Sequence, residues 1–400
     1  MFLENRLKRL VEKVRSQACI PLRILLWNGR QFDLSPSPSV IVRIPGPTAL
    51  RYLLSPDLNR LGEAYVEGHI TVEGPVHEVF RVAEAFARTV SGAERVGLRC
   101  LVPHSRTKDR KAIEHHYDVS DDFYRLFLDR SMVYSCAYYR SESDDLDRAQ
   151  ENKLDHILTK LMLKPGERLL DIGCGWGALI LRAATKFGAH ALGITLSRNQ
   201  YEHVQQRIRA EGLEDRCEVR LQDYRDVPQQ SPFDKIASIG MFEHVGLKNL
   251  PTYFQKIGQL LRDGGVVLNH GITSSDPDSR WIGMGAGQFI DRYVFPHGEL
   301  PHISLTLKEM AAAGLEVTDV ESLRLHYART CHEWASRLSA NSDKAAAAAG
   351  EKRLRIWQVY LAGCAYGFAH GWMNVYQVLA CKAGTEQPHP LPLTRDYIYR

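Results

Sequence analysis

The chain has 400 residues, 44% hydrophobic and 24% charged, with a formal net charge of +4. That length exceeds one ordinary domain and suits two or three. The composition is that of a soluble globular protein, and so small a net charge gives no pointer to nucleic acid.

The opening "MFLENRLKRLVEKV" reads as an amphipathic, charged helix without the apolar core of a signal peptide. Residues 1–105 are predicted to form a small α+β domain. In "IPLRILLWNGRQFDL" two β-rich pieces meet at Asn28-Gly29, a strong hairpin signal. "SVIVRIPGP" is a further strand. "LGEAYVEGHITVEG" alternates, with Gly68 and Gly74 as turns, and "VHEVFRVAEAFART" is a helix. From Arg88 to Lys111 there are seven Lys or Arg against two acids. The plain reading is a solvated linker face; the functional reading is a patch for anionic lipid or phosphate. This stretch leads into a second unit, 106–400.

From Pro165 strands and helices alternate. "ERLLDIG" is a buried strand, and "ALILRAATKFG" a helix stopped by Gly188. "HALGITL" is the next strand, followed by "SRNQYEHVQQRIRAEG", a helix with Ser197 as N-cap and Gly212 as stop. "CEVRLQDY" and "FDKIASIG" are the third and fourth strands. "PTYFQKIGQLLRDGG" is a helix and "VVLNHGI" the fifth strand. Such alternation predicts a parallel sheet with helices on both faces, an α/β fold. "KAAAAAG", 344–350, is a helix-prone connector. The apolar run from Ile356 to Cys381 is interrupted by Gln358, His370, Asn374 and Gln377 and by three glycines. It predicts one or two packed helices, not a membrane span.

The eight cysteines are scattered, form no C-x-x-C and show no paired Cys/His spacing, so no metal site is expected. They read as reduced thiols, which places the chain in the cytoplasm.

The first strand of the second unit runs into "LDIGCGWGAL". Gly173, Gly175 and Gly177 sit where a strand turns into a helix, where backbone can approach a ligand and the helix start adds positive potential. The spacing is G-x-G-x-G rather than G-x-G-x-x-G, and no Asp or Glu occurs between Trp176 and Gln200. Both features disfavour a nicotinamide dinucleotide. The loop instead resembles that of S-adenosylmethionine-dependent methyltransferases, in which Asp171 holds the amino-acid end through its ammonium or a water. Gln222 and Asp223 end the third strand, where this fold meets the adenine. The bland alternative for Asp223 is a turn or helix-capping aspartate.

Glu243 and His244 follow the fourth strand directly in "SIGMFEHVG". A carboxylate there is costly to bury unless something pairs with it. Together with "EHHYDVSDDFYRLFLD", "MVYSCAYY", "GITLSRNQ", "HGI", "FPHGELP", "LHYART" and "YLAGCAYGF", this segment resembles the cyclopropane fatty acid synthases and mycolic acid cyclopropane synthases over residues 106–382. The resemblance implies a doubly wound, Rossmann-like methyltransferase sheet with helical lid or insertions. The first 105 residues resemble the front domain of the non-mycolic members. That favours phospholipid acyl chains at a membrane surface as substrate, with transient membrane association. The front domain is either a lipid-docking or a homodimer-forming module.

The resemblance also implies a bound bicarbonate ion as base. Its holders map onto Cys136, Glu243, His270, Ile272 and Tyr327. Glu243 accepts the ion's hydroxyl proton, His270 and the Tyr327 hydroxyl donate, and Cys136 and Ile272 contribute mainly backbone N–H. Taken singly, Glu243 reads as a salt-bridged core carboxylate, His270 as a satisfied core histidine, Tyr327 as packing and Cys136 as a small buried residue. His244 is assigned to packing or support. Cys364 matches a cysteine proposed as a nucleophile in the family. Methylene transfer needs no covalent enzyme intermediate, so lining the acyl pocket is its other reading. Cofactor contacts carried over are Tyr134, Ser135, Asp171 to Gly177, Thr195, Leu196, Ser197, Gln200, Gln222 and Asp223. An acyl tunnel with π faces is expected from Trp281, Phe289, Tyr293, Phe295, Trp357, Tyr360, Tyr366 and Phe368, each of which also reads as core.

Overall fold

The computed structural model of the chain describes residues 2–91, 120–279, 286–294, 298–382 and 389–399. Most of the basic stretch, the start of the "EHHYDVS" motif, Trp281 and Phe295 lie outside the described residues. Two compact units emerge. One comprises 1–100, 281–296 and 331–372, the other 101–280, 297–330 and 373–400. The division differs from a single cut near residue 105, because two later segments belong to the front unit.

The front unit has a four-stranded sheet in the order β2-β1-β3-β4. Its strands are β1 (Leu22–Leu26), β2 (Gln31–Asp33), β3 (Val40–Ile44) and β4 (Thr71–Glu73). β1 and β2 form the expected hairpin, with Gly29 in the left-handed region. β1 and β3 are parallel. Alternate residues Leu22, Ile24 and Leu26 are buried against Leu7, Val11 and Val14 of the first helix and against Phe86. "LGEAYV" is not a strand. It lies in a helix, Leu58–Val66, whose start is capped by the Asp57 carboxylate accepting from Arg60 N–H. Leu58, Leu61 and Tyr65 recur at helical spacing, and that period outweighs the local alternation.

The second unit is built on a seven-stranded sheet in the order β10-β11-β9-β8-β5-β6-β7. The strands are β5 (Arg168–Ile172), β6 (His190–Thr195), β7 (Cys217–Leu221), β8 (Phe233–Ile239), β9 (Leu261–Ser274), β10 (Leu315–Ser322) and β11 (Met373–Lys382). β5 to β9 run parallel, as the alternation predicts, and β11 alone runs opposite, antiparallel to both its neighbours β9 and β10. Neighbouring residues of β5 serve opposite faces. Leu169 packs with Ile157, Leu158 and Ile180 from helices Leu146–Lys160 and Ala178–Phe187. Leu170 packs with Tyr253, Phe254 and Ile257 from helix Leu250–Leu260. Both faces are thus covered, which is why the parallel strands read as near-continuous apolar runs.

The 356–381 run is not all helix. A helix, Glu351–Ala369, ends before Gly371, which has φ +73, and β11 follows. β11 is buried on both faces between β9 and β10, so its sequence lacks the alternation that marks a strand. Among the described residues no helix is long and apolar enough to cross a membrane.

Candidate active site

The chain enters the sheet at β5, moves outward to β6 and β7, then crosses back to β8 on the other side of β5. Ligands of open α/β sheets sit at the carboxyl ends of the strands at such a reversal. A cavity of about 140 Å³ lies there. Of the expected cofactor contacts, Tyr134, Ser135, Asp171, Gly173, Gly175, Thr195, Leu196, Gln200 and Gln222 line it. So does His244, which the sequence reading had set aside.

Gly177, Ser197 and Asp223 do not line it. Gly177 has φ +83, and a Cβ there would stand 2.9 Å from Val204, so this glycine lets helix Ala178–Phe187 pack closely. Ser197 caps helix Arg198–Ala210 by accepting from Gln200 N–H. The Asp223 carboxylate caps the turn Tyr224–Asp226 and is held by Arg225, with Nη2 at 2.6 Å. The turn-capping alternative therefore describes its geometry.

The loop carrying Tyr134, Ser135 and Cys136 is held from below. Asp129 accepts from Ser131 N–H and Val133 N–H, both at 2.8 Å, around Met132, whose φ of 59° is strained for a side-chain-bearing residue. Gln150 Nε2 donates to the Ser135 carbonyl at 2.9 Å, and Lys153 Nζ donates to Ser135 Oγ at 3.0 Å. Gln150 and Lys153 were missed from sequence. Their signal is a polar pair three residues apart on the face of helix Leu146–Lys160 that also buries Leu154 and Ile157.

Two charge-bearing side chains of the cavity, Asp171 and Lys153, are buried. Asp171 is 2% exposed, and burial pushes its carboxyl up to about 7, with Lys153 opposing. Its Oδ1 has no hydrogen-bond partner among the described residues. Burial lowers the Lys153 ammonium to about 8, with Asp129 opposing.

Glu243 sits in a tight turn, Phe242–His244, directly after β8. Its Oε1 accepts from Ile272 N–H at 2.7 Å, while Oε2 is buried with no partner among the described residues. Burial raises this carboxyl to about 7. No salt bridge involves it among the described residues. The Ile272 N–H is thus engaged in holding Glu243, a correction to the expectation that it faces an ion. His270 lies on β9 opposite Gln377 of β11. The Gln377 amide nitrogen is 3.2 Å from Nδ1. Donation from that amide leaves the proton of the neutral ring on Nε2, which is buried with no partner among the described residues. Burial, reinforced by Lys153 and Lys160, keeps the ring well below the usual histidine range, so it stays neutral. Gln377 was read from sequence only as an interruption of an apolar run.

Glu243 and His270 are tied together through backbone. Gly240 N–H donates to the His270 carbonyl at 2.8 Å. A Cβ at Gly271 would stand 2.0 Å from the Phe242 ring and 3.2 Å from Glu243 Oε1. Gly271→Ala is therefore expected to destabilise the unit by about 1–3 kcal/mol through overpacking. Thermal denaturation beside wild type checks it; an unchanged midpoint would contradict the close fit.

Cys136 is fully buried, its Sγ 3.3 Å from its neighbour's carbonyl at Ala137 and 3.7 Å from the Leu323 carbonyl. Burial holds the thiol well above its ordinary range, so it is no thiolate. The Leu323 carbonyl also accepts from Tyr327 N–H at 2.9 Å, which brings these two predicted residues to one anchor.

Cys364 and the described tunnel candidates belong to the front unit. Cys364, Phe289 and Phe368 are buried. Tyr293 donates to Glu67 at 3.0 Å and Tyr366 to Glu84, and Trp357 meets Tyr360 edge-on. These contacts describe packing within that unit.

A family model described as mycolic acid cyclopropane synthetase matches residues 104–378, and one described as a domain of unknown function matches 8–92. A probable fatty acid methyltransferase of Pseudomonas putida is 50% identical over 381 residues, 95% of this chain and 97% of its own. The tuberculostearic acid methyltransferase UfaA1 of Mycobacterium tuberculosis is 34% identical over 405 residues, 96% of this chain and 91% of its own. The crystal structure of mycolic acid cyclopropane synthase CmaA1 complexed with S-adenosylhomocysteine and CTAB shares 39% identity at a TM-score of 0.65. It covers 70% of this chain and 99% of that one. The matched span takes in the glycine loop, Glu243 and His270: the chain belongs to the mycolic acid cyclopropane synthetase family of S-adenosylmethionine-dependent methyltransferases.

Proposed function

We propose that the chain is a cyclopropane-fatty-acyl-phospholipid synthase, acting in the cytoplasm at the membrane surface on cis-unsaturated acyl chains. S-adenosylmethionine supplies an electrophilic methyl when bound. An isolated alkene that accepts a methyl becomes a carbocation, and ring closure then needs a nearby base for one proton of that methyl, with water excluded. The observation that carries the reading is the pair Glu243 Oε2 and His270 Nε2, a buried acceptor and a buried donor without hydrogen-bond partners among the described residues. Such a pair fits a small oxyanion bearing a hydroxyl. We assign it to bicarbonate, which would supply the base, and on the family resemblance alone we assign Cys136 and Tyr327 to the same ion. Ile272 N–H fixes one oxygen of Glu243 and leaves the other to accept a proton. Gln377 fixes the tautomer in which His270 donates.

The test is incubation with S-adenosylmethionine and vesicles of a cis-monounsaturated phospholipid. The expected product gains one methylene per double bond and shows upfield ring-proton signals. No mass gain would remove the reading. The same gain without ring protons would support a second reading, methyl transfer without closure, which the names of the P. putida and UfaA1 relatives favour.

For the front unit we propose lipid docking. It contains a cavity of about 230 Å³ lined by apolar side chains that include Leu53, Leu61, Val79, Phe80 and Phe86. At that size it holds a short stretch of acyl chain, and apolar cavities stay dry and take apolar ligands. Ala362 lines it. Ala362→Phe is expected to raise the vesicle concentration for half-maximal rate about threefold or more, with S-adenosylhomocysteine affinity unchanged by calorimetry. An unaltered lipid dependence would leave dimer formation as the better role.

A further inference from the structure

The cofactor cavity is lined by two buried, oppositely charged side chains from different elements. Asp171 comes from β5, and Lys153 from helix Leu146–Lys160. Lys153 is 2% exposed. An ammonium has three donors, and the hydrogen bond identified for this one goes to Ser135 Oγ, itself a cavity-lining atom's residue. Taking an ammonium out of water costs several kcal/mol unless partners make it good. Asp129 lies close enough to favour the charged form, but both of its oxygens already accept backbone N–H from Ser131 and Val133. The loop that bears Ser135 is also held independently, by Gln150 and by Asp129. A buried lysine is therefore more than the loop alone requires.

We propose that Lys153, with the Ser135 hydroxyl, is the anion subsite of the cavity and takes the α-carboxylate of the cofactor's amino-acid end, while Asp171 takes its α-ammonium. The proposal rests on the reading of this cavity as the S-adenosylmethionine site and deepens it. An amino acid is a zwitterion, and a cavity with one buried cation and one buried anion complements both of its charges. Formal charge also balances. Lys153 contributes +1, Asp129 and Asp171 contribute −1 each, and the sulfonium form of the cofactor brings a net +1. Removal of Lys153 leaves the bound site with a net negative charge in a medium of low dielectric.

The test uses the full chain and three ligands measured by calorimetry. They are S-adenosylhomocysteine, its decarboxylated analogue, which keeps the ammonium, and 5′-methylthioadenosine, which lacks the whole amino-acid end. Wild type is expected to bind S-adenosylhomocysteine at least about tenfold more tightly than the decarboxylated analogue, the range for a desolvated charge pair. Lys153→Met should abolish that preference while leaving 5′-methylthioadenosine affinity within about twofold. Equal losses for all three ligands would overturn the proposal, since a lysine that only braces the loop weakens every ligand alike. So would an unchanged preference. The wild-type comparison of carboxylated and decarboxylated ligands needs no variant, so a Lys153→Met protein that fails to fold still leaves the proposal open to refutation. If wild type binds none of the three, the cofactor reading itself falls, an outcome distinct from binding without discrimination.

Discussion

Glu243→Gln is expected to lower methylene transfer at saturating cofactor by about two to three orders of magnitude, the usual cost of removing one preorganised polar group. S-adenosylhomocysteine affinity should stay within about threefold. The substitution keeps the volume and the oxygen that accepts from Ile272 N–H, and replaces with a donor the acceptor that has no partner among the described residues. The pH dependence follows from the same group. Its carboxyl is raised to about 7 by burial, and the proposed role needs the ionised form. The rate at saturating cofactor should therefore rise through a midpoint near 7. His270 stays neutral and adds no limb of its own. Glu243→Gln should lose the limb. A rate profile that is flat from pH 6 to 8 would contradict the assignment, as would a parallel loss of cofactor affinity in the variant.

Asp171→Asn is expected to act in two opposite directions. Cofactor affinity should fall by about tenfold or more, because the group proposed to meet the ammonium loses its charge. Stability of the cofactor-free protein should rise at alkaline pH. The folded carboxyl titrates near 7 rather than 3.8, so the native state binds its proton more tightly than the unfolded chain does. Below pH 3.8 the group contributes nothing to the difference. Between 3.8 and about 7 the native state loses ground, by about 1.4 kcal/mol per unit and on the order of 4 kcal/mol in all. Above 7 the penalty is complete. The melting temperature of the cofactor-free wild type should thus fall from pH 5 to pH 8, and Asp171→Asn should flatten that fall. Calorimetric melts at the two pH values decide it. An equally steep fall in the variant would show that Asp171 is not the source.

Much of this site is visible in sequence where a residue's function needs a local pattern. The three glycines and the acid before them lie within one strand–turn–helix, and the missing acid belongs to the end of β6, the next strand. Glu243 stood out because a carboxylate ends an apolar strand without a turn signal. What stayed hidden depends on partners far along the chain. Gln377 lies over a hundred positions from His270, and only the pairing of β11 with β9 joins them. Lys153 and Gln150 look like ordinary polar residues until their helix is seen to turn them inward. Asp223 carried two readings in the sequence, and its turn-capping one is what the geometry displays, since Arg225 two residues later pairs with its carboxylate. β11 escaped because a strand buried on both faces has no alternation to read. The helix at 58–66 was obscured by a short stretch that alternates by chance within it.

The position of β11 also bears on when the protein becomes competent during its own synthesis. β10 pairs with β11, and β11 alone links it to β9. A ribosome that has completed everything up to Trp372 holds a chain whose β9 edge is open, whose β10 has nowhere to dock, and whose His270 has no amide to choose its tautomer. The next ten residues supply the strand that joins β9 to β10 and the amide that faces His270. Closure of the sheet at β9 and the placing of the proton on the His270 ring therefore depend on one and the same strand.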